Sequence, residues 1–168
     1  MRLLTQILCF SFISLTSLPS MARFSTPAEI MQQVQERGVN SVVAEINAEH
    51  EQDKIIQNIA TGDKQWLQVA FKLSPNIHQN FSRQITQALS VALTENPVEV
   101  LSLIQSHRSL SFTDICDTPP TIRGLSQQKA FTKKMIDSLR VVEKSNRGEN
   151  QYSIEACIWE FEKALSYM

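Results

Sequence analysis

Residues 151–165, QYSIEACIWEFEKAL, hold the pattern that decides the fold class. Apolar side chains recur there at the spacing i, i+3, i+4, i+7 and i+11, namely at Ile154, Cys157, Ile158, Phe161 and Leu165. Such a stripe buries one face of a helix against a core. The spacing therefore predicts an amphipathic helix that directs Cys157 inward.

Upstream of this segment, helix starts are marked by capping residues. Thr26-Pro27-Ala28-Glu29 combines an N-cap, a proline at the first helical position and a glutamate at the third, and Gly38 ends the same segment. Asn96-Pro97-Val98-Glu99 repeats this pattern, and Asp63 precedes a further run with helical spacing. Asn40 is expected to cap a short second helix.

The remaining segments follow the same periodicity, and no run alternates apolar and polar residues long enough to predict a strand. Residues 106–124 concentrate Pro, Ser, Thr and Asp and predict a loop with one helical turn at Phe112–Cys116. We expect an all-α fold: a compact bundle of about seven short antiparallel or angled helices. Trp66 and Trp159 are both expected to be core anchors.

The N-terminus has the sequence pattern of a targeting signal. Arg2 precedes an apolar run from Leu3 to Leu18, and Ser20-Met21-Ala22 offers the small residues that a signal peptidase recognises. The run is shorter than the about 20 apolar residues that span a bilayer. No second long apolar run follows, so no transmembrane segment is expected in the mature chain. We expect residues 1–22 to be a cleaved signal peptide, residues 23–168 to form a single helical domain, and the mature protein to be periplasmic or secreted. The alternative is an uncleaved anchor.

Two cysteines, Cys116 and Cys157, follow the predicted leader, whereas Cys9 lies inside it. Because exported proteins meet an oxidising environment, one disulfide is the expected outcome. A thiol metal site or a catalytic cysteine is the alternative, but the paired C-x-x-C spacing and a local Cys and His signature are both missing.

The charge balance bears on the class of partner. Beyond residue 22 there are 15 basic and 17 acidic residues, a net charge of −2. Nucleic-acid binding usually needs a basic surface, so a nucleic-acid partner is not expected. Lys129, Lys133, Lys134 and Arg140 form the one basic concentration. A solvated helix face is the simpler interpretation, and an anionic partner or lipid headgroup is the alternative.

The sequence contains only weak patterns of catalytic or metal-binding residues. His107, Ser111 and Asp114 are the residue types of a hydrolytic triad, but triads are normally assembled from distant parts of a chain, and a capped helical turn explains the serine and the aspartate. His50, His78 and His107 are too dispersed to predict a metal site. Four isolated glycines rule out a glycine-rich phosphate loop. No catalytic residue, metal site or cofactor is predicted.

Several packing and capping residues resemble those of a group of small exported helical proteins of Gram-negative bacteria. They are Gly62-Asp63-Lys64-Gln65-Trp66-Leu67-Gln68-Val69-Ala70, Leu73, Ala88-Leu89, Ala92-Leu93, Asn96-Pro97, Val100-Leu101, Ile115-Cys116 and Cys157. The resemblance implies a periplasmic helical domain of uncharacterised role. Pro75-Asn76-Ile77-His78 departs from the acidic, small-residue loop found in that group.

Together these features favour a non-enzymatic protein-interaction module, such as an inhibitor or immunity protein, that meets a protein partner in the cell envelope. The 106–124 loop is the predicted contact surface, with His107, Arg108, Asp114, Asp117 and Arg123 as binding residues. An envelope hydrolase with its site around this loop and a self-associating structural component are the alternatives.

Overall fold

The structure is a computed structural model that describes residues 24, 26–107, 109–146, 148 and 150–168. Helices and their connections account for all of these residues. Within those residues there are nine helices and no strand, so the predicted all-α class is confirmed. They are α1 (Pro27–Arg37), α2 (Val39–Ala48), α3 (Gln52–Ala60), α4 (Lys64–Leu73), α5 (Gln79–Ala92), α6 (Pro97–Ser106), α7 (Phe112–Ile115), α8 (Leu125–Ser145) and α9 (Gln151–Ser166).

The predicted helix starts at Thr26, Asp63 and Asn96 are confirmed. The Thr26 hydroxyl accepts a hydrogen bond from the Glu29 N–H, and the Glu29 carboxylate accepts one from the Thr26 N–H. Asp63 accepts from the first-turn amides of α4, and Asn96 accepts from the Glu99 N–H. These caps satisfy amides that have no partner within the helix.

The prediction for the second helix is wrong at its start. Gly38, with φ of 82°, is the N-cap of α2, and Asn40 lies inside the first turn. The Asn40 Oδ1 instead accepts a hydrogen bond from the backbone N–H of Ile77, at 3.0 Å. The Asn40 side chain therefore links α2 to the turn before α5 instead of capping its own helix.

One continuous core joins the helices. Its largest fully buried side chains include Phe24, Phe71, Phe81 and Phe161. The connection between α8 and α9 is short, so these two long helices pack as an antiparallel pair.

Trp66 packs against this core, but Trp159 is 57% exposed, and its predicted core position is wrong. Trp159 follows the buried Ile158 by one residue, which turns its side chain away from the core.

Cys116 and Cys157 form the predicted disulfide. Their Cα atoms lie 5.3 Å apart, and 41 positions separate the two residues in the sequence. Cys116 is the C-cap of α7, and Cys157 is fully buried on α9. The bond therefore attaches the 106–124 loop to the last helix.

The sequence also predicts that the mature chain has no transmembrane segment and that a signal peptide precedes it. Among the described residues, no helix combines the length and the hydrophobicity needed to cross a bilayer. The predicted signal peptide, residues 1–22, lies outside the described part of the chain.

Candidate functional site

The predicted contact loop follows α6 and contains the one helical turn that its sequence indicates, the four-residue α7. Ile115, Cys116 and Pro119 are buried and hold the loop to the body of the protein. Asp114, Asp117 and the following residues through Gly124 are mostly exposed. The loop is thus anchored by apolar residues and presents polar ones.

Asp114 is held in place by a capping box. Its carboxylate accepts hydrogen bonds from the Ser111 N–H, at 2.9 Å, and from the Ser111 hydroxyl, at 2.6 Å. The Ser111 Oγ in turn accepts from the Asp114 N–H. Reciprocal bonds of this kind fix both the helical turn and the direction of the aspartate.

The loop faces one side of α5 across an open groove of about 440 Å³. The loop wall carries Asp114, Asp117, Thr118 and Pro120, and the α5 wall carries Arg83, Thr86, Gln87 and Ser90. Arg83 is the functional candidate that the sequence analysis missed. It lies 31 positions before Asp114, and nothing in the local pattern of α5 marks it.

The charges in this groove are not neutralised by one another. The Asp117 carboxylate accepts from the Thr118 N–H at 2.7 Å, and the Arg83 guanidinium donates to the Asn80 side-chain oxygen at 2.8 Å. None of Asp114, Asp117 and Arg83 makes an ion pair with another described residue. The groove therefore offers two carboxylates to a cationic group on its loop side and one guanidinium to an acceptor on its α5 side.

The loop also borders an apolar cleft. Pro119, Pro120 and Thr121 line a cleft of about 310 Å³ against α3 and α5, whose other walls include Ile56, Ala60, Gln84, Ala88 and Val91. The Gln84 Oε1 atom is buried and has no hydrogen-bond partner among the described residues. Pro120 belongs to both depressions, so a polar groove and an apolar cleft adjoin along one segment of the loop.

The other predicted binding residues lie elsewhere. The His107 ring packs against Phe71, with ring centroids 5.5 Å apart, and its Nδ1 is 3.1 Å from the Ser106 Oγ. Arg123 is exposed and lines none of the depressions described above, and Arg108 lies outside the described residues. Of the five predicted residues, the structure brings Asp114 and Asp117 together.

The triad candidates Ser111 and His107 do not form a hydrogen-bonded serine–histidine pair. The Ser111 hydroxyl donates to Asp114, whereas the His107 Nδ1 lies within hydrogen-bond distance of Ser106 and of the Leu103 carbonyl. A serine nucleophile needs a base that can take its proton. Within the described part of the chain, no three His, Cys, Asp or Glu side chains are grouped so that they could hold a metal ion.

Compared with protein-family models, with curated proteins and with solved structures, the chain matches none of them.

Proposed function

We propose that the protein is an exported, non-enzymatic interaction module of the periplasm, of the inhibitor or immunity type, which binds a protein partner in the cell envelope. The groove between α5 and the loop carries this proposal. It contains two carboxylates and a guanidinium, fixed by backbone and side-chain hydrogen bonds and without ion-pair partners among the described residues.

The charges of the groove indicate which side chains the partner would present. A basic side chain of the partner would lie between Asp114 and Asp117, where charge-assisted hydrogen bonds are stronger than neutral ones. The apolar cleft beside Pro120 would receive a neighbouring apolar residue of the same partner segment. The partner is therefore an envelope protein with an exposed loop that pairs a lysine or arginine with an apolar residue.

The disulfide supports a binding role for the loop. It joins the loop to the buried face of α9, so Cys116 is fixed to the core before the partner arrives. A preorganised surface loses less conformational entropy on association than a flexible one. The bond also supports export, together with the predicted leader at residues 1–22 and the resemblance to small exported proteins.

The test uses the oxidised chain from Arg23 to Met168, immobilised and exposed to an envelope extract of the producing cell. We expect one protein to be retained at one-to-one stoichiometry. The double variant Asp114→Asn and Asp117→Asn should lose it, because the groove then lacks both negative charges while the capping acceptor at position 114 remains.

The matched control removes two negative charges elsewhere, with Glu36→Gln on α1 and Asp53→Asn on α3, both exposed. It should retain the partner fully. Hydrogen exchange of the purified complex should then show protection of residues 111–122 and of α5. Equal retention by the groove variant and the control, or retention of no protein, would contradict the proposal.

A further inference from the structure

Exposed large apolar side chains are concentrated on the α8–α9 pair. The described residues include six such side chains, and five of them belong to α8, α9 or the residue that follows α9: Leu125, Val141, Tyr152, Trp159 and Tyr167. Both tyrosines of the chain and one of its two tryptophans are in this set. Exposed aromatic residues grouped on one surface are typical of protein interfaces.

The three aromatic residues share the outward side of α9. Tyr152, Trp159 and Tyr167 lie at i, i+7 and i+15, opposite the buried positions Cys157 and Phe161. Glu155 and Glu162 flank Trp159 at i−4 and i+3, so they lie on the same side. This surface of α9 therefore carries three aromatic side chains and two carboxylates, together with Lys163, whose Nζ lies 4.9 Å from the centre of the Trp159 ring.

The adjoining surface of α8 is mainly basic, with the exposed Asp137 among its charged residues. Lys129, Lys133, Arg140 and Lys144 lie at i, i+4, i+11 and i+15 and are all exposed. Arg140 forms a salt bridge with Glu162 of α9, which places the basic row of α8 beside the acidic and aromatic row of α9. The three lysines of this row make no ion pair with the described residues.

We propose that this α8–α9 surface is the interface with a second copy of the chain. A twofold axis parallel to the contact between the two helices would place α8 of each copy on α9 of the other. The basic row would then meet the acidic row twice, as a symmetric, self-complementary interface requires. The proposal rests on α8 and α9 and is independent of the groove at Asp114.

The salt bridge sets the register of this contact. Because α8 and α9 are antiparallel, Lys144 and Glu155 both lie between the Arg140–Glu162 salt bridge and the connection that joins the two helices. In the dimer, Lys144 therefore lies on the same side of the salt bridge as Glu155 of the second copy, and these two opposite charges pair. A second copy fits better than an anionic lipid surface, because Glu155 and Glu162 would repel lipid headgroups at the position where Trp159 would insert.

The test is sedimentation equilibrium of the oxidised chain from Arg23 to Met168 over a range of protein and salt concentrations. We expect a monomer–dimer equilibrium that weakens as salt rises. Trp159→Ala should raise the dimer dissociation constant by about thirtyfold or more, as for the loss of an interface hot spot. Ile77→Ala, which removes an exposed apolar residue outside the pair, should leave it unchanged.

Reversing the charges of Lys144 and Glu155 tests whether α8 of one copy contacts α9 of the other. Lys144→Glu and Glu155→Lys should each weaken the dimer by about tenfold or more, because each places like charges together twice. The double variant should restore it. Lys72→Glu on α4, an equal charge change away from this surface, should have no effect.

Four outcomes would overturn the proposal. The first is a monomer at all concentrations, and the second is a dimer that is insensitive to Trp159→Ala. The third is a double variant that dimerises no better than the single ones. The fourth is a monomer that binds vesicles containing anionic phospholipid, which would identify the surface as a membrane contact instead.

Discussion

The side-chain amide of Asn96 donates a hydrogen bond to the carbonyl oxygen of Gly62, with the two atoms 3.0 Å apart across 34 positions of sequence. The Asn96 Oδ1 also caps α6 through the Glu99 N–H. Gly62 follows α3 with φ of 73° and immediately precedes Asp63, the N-cap of α4. One residue pair therefore joins the end of α3, the start of α4 and the start of α6.

Gly62→Ala should be strongly destabilising. A Cβ at this position would lie 3.0 Å from the Glu95 Cβ and 3.1 Å from the Asn96 Cβ, and φ is unfavourable for a side chain. We expect a loss of about 2 kcal/mol or more in unfolding free energy, measured by chemical denaturation. Gly124→Ala is the matched control, because Gly124 has φ of 91° but no atoms near its added Cβ. Equal losses in the two variants would show that the contact with Asn96 is unimportant.

Asn96→Ala and Asn96→Asp separate the two hydrogen bonds of Asn96. Alanine removes both the cap and the bond to Gly62, and we expect a loss of about 2 kcal/mol. Aspartate keeps the cap acceptor and loses the amide donor, so its cost should be smaller, about 1 kcal/mol. Urea denaturation of both variants measures the difference. If aspartate were as stable as asparagine, the Gly62 contact would contribute nothing.

Reduction of the disulfide should lower the unfolding free energy by about 4 kcal/mol, the chain-entropy value for a loop of this length. The reason is that the unfolded chain gains freedom when Cys116 and Cys157 are no longer joined. Denaturation with and without reductant measures the loss. The variant with Cys116→Ser and Cys157→Ser is the control: it should match the reduced protein and be insensitive to reductant.

Ser111→Ala should cost about 1 kcal/mol, the usual loss for an N-cap. It removes the hydroxyl that accepts from the Asp114 N–H and donates to the Asp114 carboxylate. Thr113→Ala, which loses only an exposed bond to Glu160, should change the stability by less than about 0.5 kcal/mol. Thermal denaturation compares the two. A Ser111 variant with unchanged stability would contradict the role of this cap.

Much of the helical architecture could be predicted from the sequence, because its signals are local. Thr26, Asp63 and Asn96 cap helices through bonds that span two or three residues, so the capping pattern contains all the required partners. The stripe on α9 likewise predicts which of its faces is buried, since helical periodicity alone determines that face. The disulfide followed from the number of cysteines and the expected compartment.

The interactions that only the tertiary structure decides join residues far apart in sequence. Asn40 contacts the Ile77 N–H instead of capping α2, and Arg83 joins Asp114 and Asp117 in one groove. Periodicity and capping residues determine where helices form. The packing of those helices determines which polar groups share a surface, because it depends on contacts between elements that no local sequence pattern encodes.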